Sequence, residues 1–271
     1  MKKFRRRSAR MNMMHFHVLS KRYFRQIFTN PATLLPLILE APVMLIILLI
    51  TCKEDAFTVK DITQANLVAF MLIVMAAFMG LLNSYREICK EREILSREVY
   101  GGLDIPAYVL SKMLVLSVIG IAQCVILFGG SLAFIDFAFA NPLPDFLLCF
   151  AAMALTNISV TALGLLISAL LKKSESAVLP VLMIIIMQVV FCDCLIALEG
   201  GAKILRYITP SAWGIAVFGK VCGLNGWYPG IISKDLYDLN AFLSLGILAA
   251  FTFLFITLTI VILRRAYRQK D

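Results

Sequence analysis

The sequence has few charged residues and very few histidines. Only 16% of its 271 residues are charged, whereas about 25% is usual for a soluble domain. Both histidines, His15 and His17, lie near the N-terminus, which excludes a Ser-His-Asp or Cys-His catalytic group elsewhere in the chain. The seven cysteines lack zinc-ligand spacing. The sequence therefore predicts neither a soluble enzyme nor a metal protein.

A complete phosphate-binding loop is also missing. The segment GIAVFGKV (214–221) matches the first part of the motif G-x-x-x-x-G-K-[ST], but Val221 stands where the motif requires Ser or Thr to bind Mg²⁺. No parallel β-strand is expected before this segment. We therefore expect the chain itself to bind no nucleotide and no other cofactor.

Apolar sequence is what the chain has in abundance. Hydrophobic residues make up 61% of it, and its mean hydropathy is +0.87. A helix needs about 20 mostly apolar residues to cross a bilayer. Six segments meet or approach this length: Leu34–Ile50, Leu67–Tyr85, Met113–Ile135, Phe146–Leu171, Ala177–Leu198 and Ala241–Leu263. The sequence predicts an all-α, polytopic integral membrane protein with six transmembrane helices.

The basic residues predict the orientation of these spans. Twenty of the 26 Lys and Arg residues lie before the first span, in the second and fourth loops, or after the last span. Because Lys and Arg favour cytoplasmic loops, we expect both termini in the cytoplasm and the protein in the cell membrane. The net charge of +9 then fits anionic membrane lipid better than nucleic acid.

Two segments outside the spans have a helical pattern. Apolar residues recur at helical spacing within residues 16–27, which predicts an amphipathic interfacial helix before the first span, or else an ordinary basic flank. The block Arg86–Glu98 carries four basic and four acidic side chains. A lipid-anchoring helix would be strongly basic, so this balanced block favours docking against a protein partner, with a solvated loop helix as the alternative.

The long loop between the fifth and sixth spans contains PSAWGIAVFGKVCGLNGWYPG (210–230). Its apolar part is too short to cross a bilayer and is interpreted as a re-entrant or interfacial segment on the outer side. Cys192, Cys194 and Cys222 lie at or beyond the outer end of the fifth span, where two of them could form a disulfide.

Two carboxylates and two methionine-rich faces lie at membrane depth. Placing the charged side chain of Glu40 or Asp193 inside the membrane costs free energy. Each is therefore either a substrate or proton site, or a protonated or paired residue in a helix interface. The methionine-rich faces belong to the second and fifth spans. They either pack against neighbouring helices or line a pathway for bulky apolar substrates.

Three segments, in this order, resemble the permease of a type-2 ABC exporter, in particular its G-type branch and bacterial relatives. They are LLPLILEAPVMLIILL, EREILSREVYGGLDIPAYVLSKMLV and ITPSAWGIAVFGKVCGLN. The second resembles that group's link between spans two and three, where a charged helix with an Arg-Glu pair precedes Gly, Tyr and Ser-Lys. In the first, Glu40 stands where the group commonly has Gln before Ala-Pro.

The resemblance implies the membrane part of a half-transporter. Residues 1–30 would form a cytoplasmic basic tail and amphipathic helix, and residues 31–271 the six-helix membrane domain. The pathway would form with a second copy or a sibling permease. A separate ATP-binding subunit would bind ATP and Mg²⁺ and hydrolyse the ATP, so this chain would be a transport subunit and no enzyme.

The resemblance also implies roles for particular residues. Contact with the ATP-binding subunit would fall on the charged coupling helix and on three cations before the first span: Arg86, Glu87, Glu91, Arg92, Glu93, Arg97, Glu98, Lys21, Arg22 and Arg25. The translocation pathway would be lined by Met71, Met75, Phe78, Met183 and Met187. A proton-coupled secondary carrier that uses Glu40, and a non-transporting membrane scaffold, are the alternatives.

Overall fold

The computed structural model describes residues 13–137, 139–171, 175–194, 198, 200–228 and 235–268. Helices connected by turns make up this part of the chain, and it contains no β-strand. The predicted all-α class is therefore confirmed.

The first helix, α1 (Met13–Thr29), is amphipathic, as its sequence predicts. Leu19, Tyr23 and Ile27 form its buried stripe, which packs mainly against the later helix α5. Asn30 caps the next helix, α2 (Pro31–Thr51), by accepting a hydrogen bond from the Ala32 amide at 3.1 Å. Pro31 at the first helical position suits this start because its missing N–H would have no partner there.

Five helices are long and apolar enough to cross a membrane. They are α2, α3 (Ile62–Ser84), α5 (Ile105–Leu132), α6 (Pro142–Leu170) and α10 (Ala241–Arg268). Helix α3 is central, because 78% of its most apolar window is buried within the protein, against 11% for α2 and α10. The rest of the chain therefore leaves most of the apolar surface of α2 and α10 uncovered.

The predicted span Ala177–Leu198 contains a shorter helix. Helix α7 (Val178–Val190) has 13 residues, which at 1.5 Å per residue is about 20 Å, short of a hydrocarbon core about 30 Å thick. The chain then turns at Phe191–Cys194, where Asp193 has a positive φ of 55°. Residues 195–197 lie outside the described part of the chain, and the sixth crossing stays a prediction.

Two further helices, α8 (Lys203–Ile208) and α9 (Pro210–Val221), occupy the predicted re-entrant segment. Residues 210–219 of α9 are all buried, and α9 packs against α3, α6 and α10. Gly214 permits this close approach, since a Cβ there would lie 2.5 Å from Thr156 Oγ1 and 2.9 Å from Ile73 Cγ2. A segment too short to span is thus accommodated inside the helix bundle.

The helices alternate in direction and give the bundle two distinct ends. A short helix, α4 (Arg92–Tyr100), follows α3 and lies with α1 at one end, which we call the α4 end. The opposite end holds an aromatic cluster in which the rings of Phe57, Phe128 and Phe137 are in contact, and Phe128 also meets Phe218 of α9.

Candidate functional site

The segment that links α3 to α4 is fixed to three membrane helices at the α4 end. Ser168 Oγ, on α6, accepts hydrogen bonds from the amides of Ile88 (2.9 Å) and Cys89 (3.0 Å). Arg92 donates to the carbonyl of Leu171 at the end of α6, and Tyr267 of α10 donates to the carbonyl of Arg92 at 3.3 Å. The charged block is therefore part of the folded bundle.

A buried lysine of α5 holds this segment from the inside. Lys112 is only 2% exposed, and its Nζ lies 2.9 Å from Glu91 Oε2 and 3.4 Å from Glu87 Oε2. Glu87 also pairs with Lys90. Removing charges from water costs several kcal/mol per ion unless partners compensate, and here each buried charge has an opposite charge beside it.

Two tyrosines complete the surroundings of Lys112. Tyr23 of α1 donates to Glu87, and Tyr108 of α5 donates to Glu91 Oε2 at 3.0 Å. The Lys112 ammonium lies 4.1 Å from the ring centroid of Tyr23 and 5.4 Å from that of Tyr108, within cation–π range. We call Tyr23, Glu87, Glu91, Tyr108 and Lys112 the Lys112 cluster.

The protonation of the cluster follows from its surroundings. Burial, with the negative charge of Glu87, raises the pKa of Tyr23 well above its usual value, so this hydroxyl remains a donor. Burial alone would raise the pKa of Glu91, but Lys112 and the hydrogen bonds from Lys112 and Tyr108 outweigh it and lower that pKa. Glu91 is therefore an ionised partner for Lys112.

A second set of contacts joins α1 to α4. Arg22 and Glu98 form a two-point pair, with distances of 2.6 Å from Nη1 to Oε1 and 3.2 Å from Nη2 to Oε2. Gln26 Nε2 lies 3.4 Å from Glu91 Oε1. Together with the Lys112 cluster, these contacts connect α1, the α3–α4 segment and α5.

The structure divides the predicted coupling residues into three groups. Arg86, Glu93 and Arg97 are exposed to solvent. Glu87 and Glu91 point inward, and their carboxylates are bound inside the Lys112 cluster. The others are Arg92 and Glu98, half-buried with partners in the protein, and Lys21, Arg22 and Arg25, exposed on α1.

The predicted pathway residues lie in two separate places. Met71, Met75 and Phe78 of α3 belong to or pack against the core of the bundle. Met183 and Met187 of α7 are exposed. The first set is therefore part of the packing of the bundle, and the second set lies on its surface.

The two membrane-depth carboxylates have different surroundings. Gln123 Nε2 donates to Glu40 Oε2 at 3.0 Å, whereas Glu40 Oε1 is buried without a hydrogen-bond partner in the described part of the chain. Asp193 pairs with Arg206 at 3.0 Å and accepts from the Leu198 amide at 2.9 Å. Asp193 thus fastens the end of α7 to α8.

The cysteines singled out in the sequence form no disulfide in the structure. Cys192 Sγ lies 3.1 Å from the carbonyl of Val189, and Cys194 Sγ lies 3.3 Å from that of Asn66. Among the described residues there is also no group of three or more side chains arranged to hold a metal ion.

Sequence reasoning missed Lys112, Tyr23 and Tyr108 as members of the site. A signal was present, because Tyr108 and Lys112 are four residues apart and lie on one face of α5. A lysine at the start of an otherwise apolar helix also needs a partner or a route to water. The identity of those partners depends on how α1 and α4 pack against α5.

An apolar bundle with a central helix, five helices long enough to cross a membrane and one charged end defines a polytopic membrane domain. The family model of the ABC-2 type transporter matches residues 14–221, which is most of the chain. The chain therefore belongs to the ABC-2 type transporter membrane family, the permease component of ABC transporters.

A curated relative agrees with this family. The chain is 32% identical over 173 residues to the ABC transporter ATP-binding/permease protein Rv1747 of Mycobacterium tuberculosis. The match covers 61% of this chain and 20% of the relative, so the chain spans about a fifth of that protein's length.

Proposed function

We propose that this chain is the permease subunit of an ATP-driven exporter of the cell membrane. Two copies, or this chain and a sibling, form the pathway, with six spans each and both termini in the cytoplasm. A separate ATP-binding subunit binds ATP and Mg²⁺. The observation that carries this proposal is the Lys112 cluster, which connects an exposed helix at the α4 end to the membrane helices.

The exposed face of α4 is the proposed docking surface for the ATP-binding subunit. Glu93, Arg97 and Tyr100 share one side of the helix by their i, i+4 and i+7 spacing, with Ile94 beside them. Ile94 and Tyr100 are more than half exposed. Apolar groups beside charges of both signs suit a protein partner better than a lipid surface. Arg86 before α4 extends this surface.

Coupling proceeds from this surface inward. Closure of the ATP-binding subunits displaces α4, and the Lys112 cluster passes the displacement to α5 while Arg22 and Gln26 pass it to α1. Helices transmit such movement as rigid bodies because their backbone hydrogen bonds are satisfied within each helix. The pathway between the two permeases is lined by Met71, Met75 and Phe78 of α3 and by the methionines of α7.

Co-purification from the native membrane tests this proposal. We expect an ATP-binding subunit to accompany the tagged chain in mild detergent and to be lost from the variant Ile94→Asp/Arg97→Glu. The matched control is Val59→Asp/Lys53→Glu, which also turns one apolar residue into Asp and one basic residue into Glu, at exposed positions of the opposite end. The control should retain the subunit.

Two results would contradict the proposal. If the dimer survives extraction and no ATP-binding subunit accompanies the unmodified chain, a proton-coupled carrier that uses Glu40, or a membrane scaffold, becomes the better explanation. If the docking variant and its control retain the subunit equally, the docking surface lies elsewhere on the chain.

A further inference from the structure

Helix α1 has a side that the protein leaves uncovered. Arg22 and Gln26 point toward the α3–α4 segment, where they bond Glu98 and Glu91. Phe24 follows Arg22 by two positions, and Phe28 follows Gln26 by two positions. Each ring is therefore about 200° around the helix from that polar residue. The two rings therefore lie on the side of α1 opposite to α4.

This uncovered side is turned toward the level of the spans. Helix α4 follows the end of the span α3, and the first apolar span, α2, begins directly after Asn30. The side of α1 turned away from α4 is consequently the side turned toward the apolar part of the molecule. Phe24 and Phe28 are 45% and 48% exposed there, with stacked rings 4.3 Å apart. Exposed aromatic rings at this depth are typical of helices that lie in a membrane interface.

Two cations lie beside the aromatic pair. Lys21 and Arg25 are exposed and have no ion-pair partner among the residues that the structure describes. Lys21 lies three residues before Phe24, and Arg25 lies three residues before Phe28. Each cation is therefore about 60° around the helix from its aromatic ring. The sequence of α1 contains no Asp or Glu, so no acidic side chain of the helix offsets this charge. Cations at the level of lipid phosphates, beside rings that reach the acyl chains, are complementary to an anionic headgroup.

We propose that Lys21, Phe24, Arg25 and Phe28 form a binding site for anionic phospholipid. The lipid phosphate lies between the two cations, and the two rings contact the upper part of its acyl chains. Lys21 and Arg25, which the family resemblance assigns to contact with the ATP-binding subunit, bind lipid in this proposal. Because α1 is bonded to Glu91 and Glu98, a lipid bound here holds the helix against which the α3–α4 segment rests.

Lipid counting on the full-length chain tests this site. The purified chain in mild detergent is titrated with phosphatidylglycerol, and bound lipid is counted by native mass spectrometry. For Lys21→Gln/Arg25→Gln we expect the midpoint to rise about thirty-fold, since two cations are removed and each contributes about 1 kcal/mol near an anionic surface. Lys53→Gln/Lys203→Gln, which removes the same charge at exposed positions of the opposite end, should leave the midpoint unchanged. Phosphatidylcholine should bind equally to all three proteins.

Further measurements keep the result interpretable if the first variant unfolds. Lys21→Arg/Arg25→Lys keeps both charges and should bind as the unmodified chain does. In the unmodified chain, raising the salt from about 0.1 M to about 1 M shortens the Debye length from about 10 Å to about 3 Å and should weaken phosphatidylglycerol binding.

Equal midpoints for Lys21→Gln/Arg25→Gln and its control, or binding that salt does not weaken, would overturn the proposal. So would a Lys21→Gln/Arg25→Gln variant that keeps its lipid and loses the ATP-binding subunit, because the cations would then bind protein.

Discussion

At the scale of single residues, Lys112 determines which acidic side chains of the charged block point into the protein. It places one buried positive charge beside Glu87 and Glu91, and both acidic side chains turn inward to meet it. The neighbouring Glu93 and Arg97 have no such attraction and remain exposed. The block therefore has inward side chains, Glu87 and Glu91, that contact Lys112 of α5, and exposed side chains, Glu93 and Arg97, that a partner can contact.

Replacing Lys112 should therefore destabilise the protein strongly. Lys112→Met leaves the largely buried carboxylate of Glu91 without its cation, and breaking a buried pair in this way costs about 3–5 kcal/mol. We expect that loss in the free energy of unfolding measured by titration with SDS. Lys203→Met, at an exposed position, should change it little.

The double variant Lys112→Met/Glu91→Gln separates charge from packing. Neutralising Glu91 removes the unpaired charge, while Glu87 keeps Lys90, so part of the lost stability should return. If Lys112→Met unfolds at the same SDS concentration as Lys203→Met, the cluster does not hold the α3–α4 segment.

At the scale of elements, α4 is short and depends on its neighbours. A helix of nine residues is too short to be stable alone in water. Its position relies on α6, which supplies Ser168, and on the buried side chains Leu95 and Val99, which belong to the core beneath it. The element proposed to receive force is therefore held by tertiary contacts.

Removing the Ser168 hydroxyl should loosen α4 and leave the spans intact. Ser168→Ala leaves the buried amides of Ile88 and Cys89 without their acceptor, at a cost of about 1–3 kcal/mol each. We expect hydrogen exchange within residues 86–100 to accelerate about ten-fold or more, as measured by mass spectrometry.

Ser159→Ala is the matched control for this change. Both serines are fully buried on α6, but Ser159 Oγ has no hydrogen-bond partner in the described part of the chain. Its removal should not affect exchange in α4. Equal exchange rates in the two variants would mean that Ser168 does not fix the segment.

At the scale of the whole molecule, the helices differ in how much they are covered. Helix α3 is mostly buried, α2 and α10 are mostly exposed, and α7 is short with an exposed apolar face that includes Met183 and Met187. Lipid can cover any of these faces. Only a face that pairs with a second permease should affect assembly when it is made polar.

This difference gives a prediction for the dimer. Met183→Gln/Met187→Gln should reduce the dimer fraction in mild detergent, measured by light scattering, because α7 is proposed to border the pathway between two copies. The control Leu254→Gln/Leu258→Gln changes two similarly exposed positions, also four residues apart, on α10. An equal dimer fraction in both variants would exclude the exposed face of α7 from the interface.

Much of the architecture could be predicted from the sequence. Five of the six predicted spans coincide with helices long enough to cross a membrane, and Leu19, Tyr23 and Ile27 form the buried stripe of α1. The short apolar segment in the last loop forms α9, which ends at Val221 as a buried helix. These features depend on local hydrophobicity and helical periodicity, which neighbouring residues already display.

The candidate site could be predicted only in outline. The sequence identified the charged block but not the inward direction of Glu87 and Glu91, and it gave no indication that α7 ends at Val190. A bilayer imposes a minimum length and an apolar character on each span, so the hydropathy along the sequence determined the membrane class and the order of the five long helices. The tertiary structure decided which charges are buried, because the cost of burying Glu91 depends on Lys112 and Tyr108, which only folding brings to it.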